Sequence, residues 1–165
     1  PYTVHNNAKT LSRQEHPLDE TESGLFPHSV NIVVVNADQT AVFQRDQPVD
    51  IRKDRFTIGV WAWEVDELSP VFDEAFTKCD EVWAISRFIQ QSLVKHSPVP
   101  VHVFPSPVVM PVIDPTITRA SLGVPEGFVF LFACDYLSVL KRKNPMGLIE
   151  AFCKAFAPGE GSTLK

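Results

Sequence analysis

Apolar positions along this chain fall into short unbroken runs, and the polar stretches between them carry a helical repeat. From Val30 the run NIVVVN (Asn31–Asn36) predicts a strand buried on both faces. RFTIGVWAW (Arg55–Trp63), EVWAIS (Glu81–Ser86), VPVHVF (Val99–Phe104) and GFVFLFAC (Gly127–Cys134) predict four more strands. Between them, Ser69-Pro70 supplies a helix cap and a first-turn proline. Phe72, Ala75, Phe76 and Cys79 then recur at i, i+3, i+4, i+7. Ser86 is the natural cap of a second helix, with Ile89 and Leu93 one turn apart on its inner face. Asn144-Pro145 opens a third, with a stripe of Leu148, Ile149, Phe152, Ala155 and Phe156 that ends at Pro158-Gly159. A weaker helical segment lies around Thr40–Gln44, and Thr116–Leu122 reads as a short helix. Strands alternating with helices of about ten residues imply βαβ units, hence an α/β fold with a parallel, doubly wound sheet.

One stretch interrupts this alternation. Six prolines fall between Ser97 and Pro115, and after Phe104 the residues Pro105–Pro115 cannot continue a ladder, since proline has no N–H to donate. The division expected from this is an α/β domain over 1–107, a stiff linker over 108–118 and the start of a second domain over 119–165. Residues 1–30 are polar, and His16–Ser23 reads as a surface loop. The chain starts at Pro1 and stops at Lys165, just after the turn Pro158-Gly159-Glu160-Gly161, where a new element is expected; this reads as a piece of a longer protein.

Composition narrows the function classes. Of 165 residues, 44% are apolar and 21% charged, which suits a globular chain and excludes a disordered one. Fifteen Lys+Arg against twenty Asp+Glu give a net charge of −5, and phosphate-backbone binding needs the opposite. No run approaches the roughly 18 apolar residues of a membrane span. Three widely spaced cysteines form neither a disulfide framework nor a zinc pattern, which fits a cytoplasmic protein. Seven glycines include no G-x-G-x-x-G and no P-loop, so a dehydrogenase-like reading is not supported.

In an open parallel sheet ligands bind at the carboxyl ends of the strands. Four such ends are expected, at Asn36-Ala37-Asp38-Gln39, Trp61-Ala62-Trp63-Glu64, Ser86-Arg87 and Asp135 to Asn144. In the last, Lys141-Arg142-Lys143 stand directly before a capped helix N-terminus. That is either an anion site suited to a diphosphate or a solvated basic turn. By the two-residue period Trp61 and Trp63 share a strand face, and Glu64 follows them. An aromatic floor beside a carboxylate suits a sugar, and the plain reading is two core tryptophans beside a solvated glutamate. Glu64, Asp66 and Glu67 have no histidine or cysteine nearby, so no metal site is expected. His102, inside an apolar run, reads as a satisfied core residue.

The segments IGVWAWEVDELSPVFDEAFTKCDEVWAISRFIQQSLVK and FVFLFACDYLSVLKRKNPMGLIEAFCKAF, on either side of a proline-rich link, resemble the group 1 (family 4) glycosyltransferases of the GT-B fold. The resemblance covers roughly residues 30–156. It implies part of a first, acceptor-side Rossmann-like domain and the first β-α of a second, nucleotide-sugar domain. It also implies retaining, metal-independent hexosyl transfer from a UDP- or GDP-type donor to a sugar, glycan or lipid-linked hydroxyl, with no cofactor because the nucleotide-sugar is a substrate. Peripheral membrane contact of the full-length protein follows from lipid-linked acceptors. Many relatives keep a histidine near the transferred sugar where this chain has Trp61-Ala62-Trp63-Glu64, which makes Glu64 the catalytic candidate here. Lys143 matches a diphosphate-gripping lysine, and the family's arginine position falls near Ser138, with Arg142 as its substitute. Trp61, Trp63, Asp38, Ser86 and Arg87 become acceptor or sugar candidates. The family's glutamate pair lies farther along; Glu150 and Glu160 are not that motif. On this resemblance the segment alone is expected to be inactive. The alternative is a non-catalytic α/β module that binds carbohydrate or protein.

Overall fold

A computed structural model describes residues 2–6, 27–136 and 138–165. The surface loop expected over His16–Ser23 lies outside these residues. The described chain divides between Val109 and Met110 into two compact units.

In the first unit, β1 (Val30–Val33), β2 (Phe56–Trp61), β3 (Glu81–Ala84) and β4 (Val101–Val103) form one parallel sheet in the order β1-β2-β3-β4. Helix α1 (Ala37–Arg45), a 3-10 helix (Pro70–Lys78) and α2 (Arg87–Leu93) make the crossovers. Each crossover steps the same way, and right-handed connections then put every helix on one face. The core confirms this side: Ala37, Phe76, Ile89 and Leu93 from the helices pack with Trp61, Val82, Ala84 and Val101 from the strands.

Register explains which side chains face inward. Val33, Gly59, Val82 and Val101 form one cross-sheet row, and Trp61 pairs with Ala84 in the next on that face. Gly59 is required there: a Cβ would stand 2.8 Å from both Cys79 Sγ and Trp61 Nε1. With no side chain at 59, the Trp61 indole is fully buried, its centroid 4.9 Å from that of Phe76.

The opposite face departs from expectation. Val30, Ile32 and Phe56 are 46%, 56% and 46% exposed, so β1 is not buried on both sides. Neither is the sheet doubly wound among the described residues. Strand order never reverses, and only a reversal would send helices to the second face. His102, also on this face, has a largely exposed side chain with Nε2 3.7 Å from Glu81 Oε2, and is not a core residue. Trp83 donates to Glu81 Oε1 at 2.7 Å and stacks on Phe104 at 4.1 Å.

Two helices also differ. Residues 70–78 wind as a 3-10 helix, with Phe72 N–H donating to the Ser69 carbonyl at 2.9 Å, while the Ser69 side chain makes no cap bond. Apolar spacing of three fits either winding, so the pattern could not separate them. Thr118–Leu122 is a single turn, closed by reciprocal Thr118 and Ser121 bonds and ended by Gly123 at φ +60°. The weak segment at Thr40–Gln44 lies inside the longer α1.

The second unit is one βαβ element. β5 (Phe128–Phe130) leads through α3 (Leu140–Lys143) and α4 (Pro145–Ala155) to β6 (Ser162–Leu164), parallel to β5. Phe130 meets Phe156 at 5.3 Å and Phe152 at 5.8 Å, the pairing that the predicted stripe on α4 required. Arg119 Nη2 donates to the Pro125 and Gly127 carbonyls at 2.7 and 2.9 Å, fixing the entry to β5.

Candidate functional site

Four parallel strands bring their carboxyl ends to one edge of the first sheet, where Asn36, Ala62 to Glu64, and Ser86 with Arg87 emerge. Asn36 precedes α1 but does not cap it with its side chain. Its carbonyl receives the Gln39 and Thr40 N–H groups at 2.9 and 3.0 Å, which frees the amide to reach across. Asn36 Oδ1 accepts the Ala62 N–H at 2.9 Å and so pins the start of the loop that carries Glu64 to the end of β1.

The predicted sugar platform does not form as expected. Trp61 has no exposed surface, and a ring without surface cannot support a ligand. Trp63, just past the strand end, is half-buried; it donates from Nε1 to the Glu67 carbonyl at 3.2 Å and sets its ring edge-on to Phe72 at 5.3 Å. Glu64 is exposed on the same loop. Asp38 is exposed in the first turn of α1. Ser86 caps α2 as expected, its Oγ accepting the Ile89 N–H at 3.3 Å, and Arg87 beside it is exposed. Of the candidates on this edge, all but Trp61 keep surface for a ligand: Trp63, Glu64, Asp38, Ser86 and Arg87.

A cavity of about 410 Å³ lies between the loop after β2 and the outer side of α2, lined by Asp66, Phe88, Gln91, Ser92, Val94 and Lys95. Lys95 Nζ donates to the Asp66 carbonyl at 3.4 Å across it. Sequence reasoning missed this groove. Its one signal was Phe88, an apolar residue off the Ile89–Leu93 stripe, with Gln91 and Lys95 on the same helical face.

In the second unit Lys141, Arg142 and Lys143 occupy the last turn of α3, where cations offset the carbonyl end of a helix. Arg142 Nη2 donates to Ser138 Oγ at 3.1 Å, and Lys143 is half-buried. Asn144 then turns the chain in the left-handed region (φ 51°) and caps α4, its Oδ1 accepting the Gly147 N–H at 3.2 Å. A set of four unpaired N–H groups, which an anion at this helix start would use, is therefore not present. Asn144 N–H donates to the Leu140 carbonyl at 2.9 Å, Pro145 has no N–H, and Gly147 is capped. Only the Met146 N–H remains among the first four, so an anion here would be held by the side chains of Lys143 and Arg142.

Among the described residues, no group of three His, Cys, Asp or Glu could hold a metal ion. No helix among them is long and apolar enough to cross a membrane. The fold and this edge define an α/β protein whose four-stranded parallel sheet is compatible with a Rossmann-like fold. Beyond that class, no family model, curated protein or solved structure matches the chain.

Proposed function

We propose that the chain carries the acceptor-side unit, and the opening of the donor-side unit, of a glycosyltransferase of GT-B type. The reaction moves a hexose from a UDP- or GDP-sugar to a hydroxyl acceptor, with retention and without a metal. The observation that carries this reading is the order of parts. A parallel sheet with a polar carboxyl edge is followed, beyond a proline-rich stretch, by a βαβ element with Lys141, Arg142 and Lys143 between β5 and α4. That is where α/β folds receive phosphate groups. Lys143 and Arg142 would neutralise the departing diphosphate, Ser138 holding the Arg142 guanidinium in place, as cations do for a leaving group whose charge grows. Glu64, Trp63, Asp38 and Arg87 would meet the sugars at the edge of the first sheet.

The test is sugar transfer by the full-length gene product from UDP- and GDP-sugars, comparing wild type with Lys143→Ala. Loss of one charged contact to the diphosphate is expected to lower kcat/KM by roughly tenfold to a hundredfold. Unchanged rate and donor affinity remove Lys143 from the mechanism.

A second reading has its own support. With Pro145 and the Asn144 cap closing the start of α4, the phosphate cradle is poorer than the sequence implied. A non-catalytic module binding carbohydrate or protein at the Trp63–Glu64 edge needs no such cradle. Sugar binding that quenches tryptophan fluorescence equally with and without nucleotide would favour it.

A further inference from the structure

Residues 105–114 run between the last strand of the first unit and the first turn of the second with no turn or bend. Among the described residues, nothing hydrogen-bonds to the backbone of residues 105–113. Five large apolar side chains stand in solvent here: Val108 85% exposed, Val109 88%, Met110 79%, Val112 99% and Ile113 76%. An exposed apolar run of this length is rare on a surface with nothing to cover it.

Every residue here favours an extended backbone. Pro107, Pro111 and Pro115 fix φ near the extended range, and Ser106, Met110 and Asp114 each precede a proline, which keeps them out of the helical region. Val108, Val109, Val112 and Ile113 are β-branched. The segment is a strand without a sheet.

Its prolines also decide which edge can pair. In a strand, alternate residues point their N–H and C=O groups to opposite edges. Pro107, Pro111 and Pro115 all fall on odd positions, so the odd edge lacks three donors. The even edge keeps all of its donors, from Val108, Met110, Val112 and Asp114. The spacing is also symmetric about Pro111. Lay a second copy antiparallel with its Pro111 opposite the first. Met110 then faces Val112 and Val108 faces Asp114 in hydrogen-bonded pairs. Proline faces proline, and Val109 faces Ile113, in pairs that need no ladder bond. Within residues 107–115 this register gives up no ladder bond.

We propose that residues 107–115 pair with the same segment of a second copy of this chain, forming a two-stranded antiparallel ribbon with its dyad at Pro111. The proline edge of each strand faces outward, so the ribbon closes at two chains and does not grow into a longer sheet. A ribbon of two strands is weak by itself. The dimer is therefore expected to dissociate on dilution.

Sedimentation velocity of the chain over a concentration series tests this, with two proline variants. Val112→Pro removes a donor from the pairing edge in both copies, and is expected to weaken the dimer roughly thirtyfold. Ile113→Pro removes a donor from the outer edge and a similar apolar side chain, and is expected to change it less than about threefold. Neither position lies in a helix or strand, and circular dichroism checks that both variants stay folded. A chain that is monomeric at every concentration overturns the proposal. So does equal weakening by both variants, which would place the contact on side chains alone, and so does a dimer indifferent to both, which would place it elsewhere.

Discussion

Cys79 follows the 3-10 helix and is 3% exposed, with its Sγ 2.8 Å from where a Cβ on Gly59 would stand. Burial pushes its thiol up to about 11; the Arg52 guanidinium opposes this, and the Asp80 carboxylate adds to it. In the fold the thiol keeps its proton, while in the unfolded chain it ionises above its ordinary 9.0. Stability from this group is therefore complete below pH 9.0 and falls as pH rises toward about 11. Urea unfolding at about pH 8 and about pH 10.5 should show that loss in the wild type, and a flatter difference in Cys79→Ala. A thiol reagent at about pH 8 should modify the exposed Cys153 quickly and leave Cys79 untouched until the chain unfolds.

At the scale of elements, the start of α4 shows how local chemistry is divided. A Cβ at Gly147 would overlap the Asn144 amide, so the capping side chain would have to leave. Alanine for glycine inside a helix ordinarily stabilises by about 1 kcal/mol. Losing an asparagine cap costs about 1 kcal/mol. The two cancel, and Gly147→Ala is expected to leave the unfolding free energy read by urea within about 0.5 kcal/mol of wild type, whereas Asn144→Ala lowers stability by about 1–2 kcal/mol. The same helix was plain in the sequence, because a cap, a first-turn proline and an apolar stripe agree there. The strands of the first sheet were equally plain from their β-branched runs. What surrounds a strand was not: Val30–Val33 has the same composition whether one face is covered or two. For a related reason Trp61 stayed open between a sugar floor and the core. A period of two orders side chains along a strand, but it was the missing side chain at Gly59 that let the indole fold into the core. The basic turn was legible as charge. Which N–H groups the cap would leave open was not, since that depended on the left-handed turn at Asn144 and on Oδ1 accepting the Gly147 N–H.

Across the whole molecule, stability is unevenly held. Among the described residues the buried apolar ones all belong to the first unit, where Trp61, Leu68, Phe76, Val82 and Leu93 are each 1% exposed or less. In the second unit no described residue is buried, and its aromatic cluster of Phe130, Phe152 and Phe156 stays in partial contact with solvent. Exchange protection follows buried contacts rather than hydrogen bonds alone. Amides of β2 and β3 are expected to exchange roughly a hundredfold more slowly than those of β5 and α4, as deuterium uptake by mass spectrometry would read. Equal protection in both units would mean that the second has a core of its own.

The sheet order β1-β2-β3-β4 also bears on synthesis. Each strand hydrogen-bonds to the one translated just before it, so a nascent chain leaving the ribosome never waits for a distant partner. It can add one strand and one covering helix at a time, and a stalled product would already be a smaller piece of the same sheet.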